Sequence, residues 1–387
     1  MKVFGILFQN KKIAIVGGGP GGLTLARLLQ LQGADVQVFE RDINKRVRVQ
    51  GATLDLHEAS GLEALRRAGL MDAFYAHYRP DAGKVRVLDK QAKIHSDDHA
   101  AGTGYTESRP EIDRAPLRDL LLQSLEPGTV VWDRHFISME KEKDGWQLYF
   151  KNGTTVYADL VIGADGARSK IRPYITAIQP IYSGVTIVEG QVYQAEQHAP
   201  NLWALVKGGK IFAFGSEQSL ILSAKGEGSL SFYTGCKVPE TWAQECGVDF
   251  SNSAQVFKWF KTAYGSWNEV WQELFGNGEA GFIPRPQYHF PLDQHWSALP
   301  NLTMLGDAAH RMPPYAGEGV NMAMQDAFEL SDCITGSGFV SLQEAIAHYE
   351  KGMLERASEV TRFTLANTEM LHAKDALERM EAMMSGQ

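Results

Sequence analysis

Apolar and polar positions alternate with different periods along the chain. Residues 13–39 show first a strand pattern, then a helical pattern, then a second strand pattern. Residues 13–16 form a continuous apolar run, which predicts a buried parallel strand. Residues 23–32 place apolar side chains at helical spacing, and residues 36–39 are a second apolar run. The succession of strand, helix and strand predicts a βαβ unit, and therefore a Rossmann-like α/β domain.

Patterns typical of β-strands dominate the middle of the chain. Residues 129–163 form short strands with turns at residues 143–145 and 152–153, which predicts a β-meander. Residues 180–290 alternate β-branched and aromatic side chains, which predicts a mostly antiparallel sheet. This sheet is expected to carry helices at residues 239–244, 254–264 and 267–275.

Two helical patterns flank these sheets. Residues 62–74 repeat apolar positions at a helical period and predict one amphipathic helix. Residues 342–384 are charged and poor in Gly and Pro, with Met and Leu at helical spacing. They predict a long helix or a helix pair packed across both domains. A dimer face is the alternative interpretation of this segment.

Three glycines mark the turn after the first strand. Gly17, Gly19 and Gly22 fill the pattern G-x-G-x-x-G, and Glu40 ends the second strand. Such glycines permit a tight turn and the close approach of a pyrophosphate, and the acid can bind a ribose diol. The unit therefore predicts dinucleotide binding, without distinguishing FAD from NAD. Arg41 is either a contact to adenine or phosphate or a solvated side chain.

A second candidate ligand loop lies near residue 310. The apolar run 301–305 leads to a glycine and Asp307, and Gly317 and Gly319 precede a helical pattern. Glycines let the backbone approach a ligand closely, and a helix start offers unpaired N–H groups. The alternative is a plain strand–turn–helix connection.

Two further charged positions carry open alternatives. Asp165 follows an apolar strand and precedes Gly166, which is typical either of a ligand edge or of an Asx turn. Arg114 stands at a helix start that Asp113 is expected to cap, where the helix dipole disfavours a cation. The arginine therefore indicates either a bound anion or a tolerated surface charge.

Composition narrows the class of protein. The 387 residues are 44 % apolar and 22 % charged, and the formal net charge is −8. These are values of a globular chain with two or three domains. The negative charge argues against nucleic acid or an anionic membrane as a partner. No segment has the roughly 18 uninterrupted apolar residues of a membrane span, and the three cysteines lack metal-site or disulfide spacing. We expect a cytoplasmic monomer without a metal site.

Three signatures occur in order along nearly the whole chain. They are the glycine unit with Glu40, Ala-Asp-Gly at residues 164–166, and LGDAAH at residues 305–310 with its Pro-Pro-Gly loop. Together they resemble the class A FAD-dependent aromatic hydroxylases. The stretches GATLDLH, PEIDRAPLRDLLL, VVWDRH and GDAAHRMPPYAGEGVN are similar to the TetX-type flavin monooxygenases, which hydroxylate and inactivate tetracyclines.

The resemblance implies FAD as the cofactor and NADPH as a transient reductant. Arg48 matches an arginine linked in that family to NADPH, and the turn at Asp165 resembles a motif tied to FAD and NADPH together. The other FAD-binding positions that it implies are Gly17, Gly19, Gly22, Glu40, Arg41, Asp55 and Arg114, with Asp307 at the ribityl or pyrophosphate region and Pro314, Gly317, Gly319, Val320 and Asn321 bordering the isoalloxazine ring.

The substrate side departs from the TetX-type pattern. Those relatives carry Gln, Arg and His near the positions of Glu189, Lys210 and Ser231. Replacing the planar fork of Arg by Lys changes polar recognition. Substrate contacts are assigned to Glu189, Lys210, Phe212, Ser231 and Tyr315. No catalytic side chain is assigned, because the flavin performs the chemistry.

The resemblance also implies a domain organisation and an activity. The FAD-binding domain would comprise residues 1–78, 105–178 and 279–335, the substrate domain residues 79–104 and 179–278, and a C-terminal helical segment residues 336–387. The activity would be NADPH- and O2-consuming hydroxylation of an electron-rich phenol, enol or polyketide-like compound, tetracyclines included, through a C4a-hydroperoxyflavin. The alternatives are another FAD oxidoreductase, such as a reductase or halogenase, or a flavin-binding protein that sequesters or senses without turnover.

Overall fold

The computed structural model describes residues 7–45, 52–100, 109–276 and 281–384. The strands are β1 (Lys12–Val16), β2 (Asp35–Phe39), β3 (Leu54–Asp55), β4 (Val85–Asp89), β5 (Ile94–Asp97), β6 (Glu111–Ile112), β7 (Val130–Val131), β8 (Phe136–Glu142), β9 (Gly145–Phe150), β10 (Thr155–Ala158), β11 (Leu160–Gly163), β12 (Ile181–Val192), β13 (Lys210–Gly215), β14 (Gln218–Ala224), β15 (Leu230–Lys237), β16 (Ile283–His289) and β17 (Leu302–Met304).

The helices of the same ranges follow. The α-helices are α1 (Pro20–Leu31), α2 (Glu63–Arg67), α3 (Met71–Tyr75), α4 (Arg114–Gln123), α5 (Ala195–His198), α6 (Pro200–Val206), α7 (Trp242–Glu245), α8 (Ser253–Ala263), α9 (Glu273–Gly276), α10 (Asp307–His310), α11 (Gly319–Thr335), α12 (Leu342–Leu371) and α13 (Ala376–Met384). A π-helical turn spans Glu58–Leu62, and 3-10 helices span Asp98–Ala100, Arg172–Tyr174 and Glu269–Gln272.

A five-stranded parallel sheet forms the first layer, in the order β17-β11-β1-β2-β7. Successive side chains of β1 point to opposite faces. Ile13 and Ile15 therefore join the cluster packed with α1 and α11, whereas Ala14 and Val16 pack with the three-stranded meander β10-β9-β8. Burial on both faces explains why β1 is a continuous apolar run. The predicted Rossmann-like α/β fold and the β-meander are confirmed.

A seven-stranded sheet forms the second layer, in the order β16-β12-β15-β14-β13-β4-β5. All its pairs are antiparallel except β13 with β4, so the prediction of a mostly antiparallel sheet is confirmed. One face is apolar and packs against aromatic residues of α8 and α9. The other face, called here the inner face, carries polar residues and contacts the loop before α11.

The helix pair α12–α13 joins the two layers, as predicted. The first half of α12 packs in the core of the parallel sheet through Ile346, Tyr349 and Met353. Its last residue, Leu371, packs with Met380 of α13 against the inner face of the seven-stranded sheet. None of the helices in the described ranges is both long and apolar enough to cross a membrane.

Two helix predictions were wrong in detail, and two short helices were missed. The single helix expected at residues 62–74 is a π-helical turn followed by α2 and α3, because Gly69 adopts a left-handed conformation (φ 72°) between them. The helix expected at residues 267–275 is a 3-10 helix followed by the short α9. Helices α5 and α6 were not predicted, although Pro200 occupies the first turn of α6, a position that proline favours.

Candidate active site

The three glycines of the G-x-G-x-x-G pattern, between β1 and the start of α1, have different surroundings. Gly17 has φ 116°, and a Cβ atom there would lie 2.2 Å from the carbonyl oxygen of Ala164. A Cβ at Gly22 would lie 2.2 Å from the carbonyl oxygen of Gly17. Gly19, by contrast, has no atom within 4 Å of its Cβ position, and it precedes α1 without a side-chain cap. The space beside Gly19 at the start of α1 is therefore open, and a phosphate fits there.

Glu40 lies buried at the end of β2 and fixes this turn. Its Oε2 accepts a hydrogen bond from the Gly18 N–H (2.8 Å), and its Oε1 accepts one from the Asp42 N–H (2.9 Å). A carboxylate oxygen can accept a further bond, so Glu40 retains the capacity to bind a ribose hydroxyl. The neighbouring Arg41 is exposed.

Asp165 follows β11 and lies against the glycine turn. Its Oδ2 accepts hydrogen bonds from the N–H groups of Lys170 (2.7 Å) and Ile171 (3.3 Å), so its side chain fixes the following loop. Burial raises the pKa of Asp165, against hydrogen bonds from Ser169 and these amides. A structural role for the carboxylate is therefore established, and contact with FAD and NADPH stays a prediction.

The loop from β17 to α11 is anchored by one buried carboxylate, Asp326. Its Oδ2 lies 2.5 Å from His310 Nε2 and accepts the Gly306 N–H at 2.9 Å, while its Oδ1 accepts from Arg356 at 2.7 Å. Burial alone would raise the pKa of Asp326, but the charges of His310 and Arg356 outweigh it and lower the pKa. His310 is therefore a satisfied structural histidine.

Arg172 also supports this loop. Its Nη1 donates to the carbonyl oxygens of Ala308 (3.2 Å) and Ala309 (3.0 Å), and its Nη2 donates to Gln294 (2.7 Å). Burial among neutral acceptors lowers the pKa of Arg172 to about 10. The sequence offered no signal for this residue, because its partners lie more than a hundred residues away.

Asp307 remains available to a ligand. Its side chain is exposed, although protein atoms crowd it, and this desolvation raises its pKa against the charges of His310, Arg311 and Arg114. Its Oδ1 lies 4.0 Å from the Cβ position of Gly319, at the first turn of α11. The carboxylate thus stands beside a helix start, as expected for a contact to the ribityl or pyrophosphate region.

The glycine-rich end of the loop is tied to the strand β3. Asn321 is fully buried, and its Oδ1 accepts the His57 N–H (2.9 Å) while its Nδ2 donates to the carbonyl oxygens of Asp55 (2.9 Å) and Gly317 (3.2 Å). These hydrogen bonds fix the Asn321 side chain within the protein, and the place of Asn321 beside the cofactor stays a prediction. Gly317 has φ 70° and its Cβ position lies 3.2 Å from Asp55 Oδ1, so a larger residue does not fit easily.

The other expected cofactor residues occupy the surroundings of this loop. Asp55 accepts from His57 at 3.1 Å, and Arg114 Nε donates to the carbonyl oxygen of Ala52 at 3.2 Å. Pro314 is exposed and Val320 half-buried. Asp113 precedes α4 but does not cap it, because its Oδ2 accepts instead from the Gly226 N–H at 3.0 Å. Arg48 lies outside the described residues.

Four of the five expected substrate residues lie on the inner face. Glu189 pairs with Tyr233, Tyr233 with Ile221, and Ile221 with Phe212 in successive strands. Ser231 and Lys210 both pair with Ser223 one row away, two residues along each strand. Side chains two residues apart share a face. The inner face therefore collects Glu189, Lys210, Phe212 and Ser231, together with Tyr233 and Ser223.

Both charged residues of this group are already paired. Lys210 Nζ contacts the buried Glu111, and Glu189 contacts Arg285. Burial raises the pKa of Glu111, Lys210 opposes that shift, and Asp55 adds to it. These partners come from β6 and β16, distant in sequence, so the sequence could not show that the two charges are neutralised.

Tyr315, the fifth expected substrate residue, meets the inner face together with an unpredicted histidine. His372 Nε2 lies 3.0 Å from Ser219 Oγ and 3.5 Å from the Tyr315 hydroxyl. His372 Nδ1 lies 2.7 Å from the Thr368 carbonyl oxygen, which can only accept, so Nδ1 carries the proton and Nε2 accepts. Burial lowers the pKa of His372 to about 4, which keeps the ring neutral. The alternation of side chains along the strand, which places Ser231 on this face, would also have indicated Tyr233. The Tyr233 hydroxyl accepts a hydrogen bond from the Ala52 N–H at 3.2 Å.

Comparison with known proteins agrees with this arrangement. The family of the FAD binding domain matches residues 10–238 and 299–364, which include the glycine turn, the Asp165 loop and the loop before α11. The chain therefore belongs to the family of class A FAD-dependent monooxygenases. FAD as the cofactor of this monooxygenase is confirmed, and the open space at Gly19 and the acceptor Glu40 fit it.

Relatives of the monooxygenase align with most of its length. It is 27 % identical to Monooxygenase penA of Penicillium thymicola, over 95 % of this chain and 97 % of that protein. It is 29 % identical to 3-amino-4-hydroxybenzoate 2-monooxygenase PtnB3 of Streptomyces platensis, over 95 % and 90 %. Its fold matches the tetracycline destructase Tet(55) with a TM-score of 0.76 at 18 % identity, over 97 % and 95 % of the chains. That likeness concerns the fold alone, so membership of the TetX-type group stays a prediction.

Proposed function

We propose that the monooxygenase hydroxylates an electron-rich phenol or enol that binds between the flavin and the inner face, with NADPH as reductant. The observation that carries the proposal is that the loop before α11 meets the inner face through Tyr315. This contact brings the segment expected to border the isoalloxazine next to the residues expected to bind substrate. FAD supplies the activation of O2; one oxygen atom enters the product and the other leaves as water.

The chain's own residues would hold the cofactor at three places. The N–H groups of α1 with Gly19 would bind the pyrophosphate, and Glu40 would bind the adenosine ribose. Asp307 would bind the chain that leads to the ring, and the N–H groups at the start of α11 would face the ring itself. The buried hydrogen bonds of Asn321 and Asp326 would keep Asp307 and the start of α11 in place.

The paired charges of the inner face favour a substrate without a net charge. Because Glu111 neutralises Lys210 and Arg285 neutralises Glu189, the face offers mainly hydroxyl and amide groups around Phe212 and Tyr233. PtnB3 acts on an aromatic acid and Tet(55) is a tetracycline destructase by name. We place the substrate nearer to a neutral phenol or a polyketide-like enol, tetracyclines included, than to an aromatic acid.

Substrate-linked oxygen uptake tests this function. Purified holoprotein with NADPH is expected to consume O2 faster with a neutral phenol or a tetracycline than with a hydroxybenzoate, and mass spectrometry should find one added oxygen in the product. The protein without candidate substrate is the control. Reduction of the flavin by NADPH with no substrate-linked O2 uptake across the panel would exclude the hydroxylase and favour a reductase. A flavin that NADPH does not reduce would favour a sequestering or sensing protein.

Gly235→Ala is expected to impair substrate turnover without loss of FAD. The new Cβ would lie 2.4 Å from His372 Nε2, 2.5 Å from Ser219 Oγ and 2.9 Å from the Tyr315 hydroxyl, so these groups must move on the inner face. We expect kcat/KM to fall about tenfold, a change of about 1.4 kcal/mol, with unchanged flavin absorbance per protein.

Gly352→Ala is the matched control for Gly235→Ala. Gly352 is exposed on α12, and its Cβ position has no atom within 4 Å. This variant should keep both turnover and flavin content. An unchanged kcat/KM in Gly235→Ala would show that the cluster around Tyr315 lies outside the substrate pocket.

A further inference from the structure

The imidazole of His57 lies between two carboxylates that belong to different segments. Its Nε2 is 3.1 Å from Asp55 Oδ2, in β3, and its Nδ1 is 3.4 Å from Glu318 Oε1, in the glycine-rich loop before α11. The His57 side chain is only 14 % exposed. Both ring nitrogens thus face acceptors, and an imidazole donates from both nitrogens only when it is protonated.

Several charged groups act on this histidine. Asp55 and Glu318 are its direct partners, and Arg109 lies 3.7 Å from Asp55 Oδ2. On the side of the inner face, the charge of Lys210 lowers the pKa of Asp55, and the charge of Asp55 raises the pKa of Glu111. Burial alone would lower the pKa of His57, but the hydrogen bonds to Asp55 and Glu318 outweigh it and raise the pKa to about 9. His57 is therefore charged at neutral pH.

The ion pairs of His57 join the two segments that the buried Asn321 also joins. Asn321 connects them through backbone groups at the start of α11, whereas Glu318 connects them one residue before that helix through charge. His57 thus contacts the loop at Glu318, and Asn321 contacts it at Gly317. Residues 317–319 lead directly to the N–H groups that would face the flavin ring.

We propose that His57 is a positioning residue which, as an imidazolium between Asp55 and Glu318, holds the glycine-rich loop against β3 and thereby sets the affinity for FAD. The proposal rests on the cofactor contacts given above and needs neither NADPH nor the proposed substrate. The sign follows from the raised pKa: the contribution is fully present below about pH 6.5, the ordinary pKa of histidine. It is lost as the pH rises through about 9.

FAD dissociation tests the proposal independently of turnover. The fluorescence of FAD released on dilution of the full-length holoprotein gives its Kd. His57→Gln and Glu318→Gln are each expected to raise this Kd about tenfold at pH 7. The double variant should be no weaker than the single variants, because both remove one interaction. Wild-type Kd should rise between pH 8 and pH 10, roughly the range around the raised pKa, and His57→Gln should lack this rise.

His95→Gln is the matched control, because His95 also lies between two carboxylates, Asp89 (3.3 Å) and Glu381 (2.8 Å), on β5 and away from the loop. Its Kd for FAD and the pH dependence of that Kd should equal the wild-type values. Glu318→Gln replaces a loop residue, so it decides the matter if His57→Gln does not fold. An unchanged Kd in Glu318→Gln, or a pH-dependent rise that persists in His57→Gln, would overturn the proposal.

Discussion

The Asp326→Ala variant is expected to lose about 3–5 kcal/mol of unfolding free energy, the usual cost of removing one partner from a buried ion pair. Asp326 is fully buried and is the shared acceptor of His310, Arg356 and the Gly306 N–H. Without it, the His310 side chain and the Gly306 N–H lose this partner inside the core, and Arg356 is left with its pair with Glu329. Because this loop carries Asp307, the holoprotein should also release FAD. Urea unfolding followed by tryptophan fluorescence measures the first effect, and flavin absorbance after gel filtration measures the second.

Asp332→Ala is the control on the same helix. Asp332 also pairs with an arginine, Arg67 at 2.6 Å, but its side chain is 64 % exposed. An exposed pair contributes about 0–1 kcal/mol, so this variant should unfold near the wild-type midpoint and retain its flavin. If Asp326→Ala unfolds at the same urea concentration as Asp332→Ala, the buried carboxylate does not anchor the loop.

The contrast between these two acids shows where prediction from sequence ends. Glycine spacing and apolar runs are local patterns, so they predicted the turn at Gly17, the parallel strands and the loop at Asp307 correctly. Asp326 lies in an ordinary helical pattern, and its partner Arg356 belongs to another helix. Nothing local distinguishes it from Asp332. Its importance follows only from the packing of α11 against α12.

The strands that carry the expected substrate residues were predictable, but the pairing of their charges was not. A period of two places Glu189, Phe212 and Ser231 on sheet strands, and the register shows that they share one face. The sequence cannot show that Glu111 reaches Lys210 across 99 residues. For the same reason His372, which follows α12 as one residue of a charged helical segment, gave no sign that it meets Tyr315 on this face.

Within the glycine motif, the structure predicts different effects on stability for two alanine substitutions that the pattern treats alike. Gly17→Ala should lose on the order of 3 kcal/mol of unfolding free energy, because strained backbone and a buried clash add up. Gly17 has φ 116°, and the new Cβ would lie 2.2 Å from the backbone carbonyl oxygen of Ala164, the residue after β11. The β1–α1 turn and its FAD should be lost together, as urea unfolding and flavin absorbance would show.

Gly19→Ala should instead keep the fold and lose the cofactor. Gly19 has an ordinary φ of −79°, and its Cβ position has no atom of the protein within 4 Å. The unfolding free energy should therefore change by less than about 0.5 kcal/mol. The methyl group would occupy the space through which a pyrophosphate approaches α1, so the Kd for FAD should rise more than about tenfold. If both variants lost the same unfolding free energy, this assignment would be wrong, because Gly19 would then be needed for the fold and not for phosphate binding.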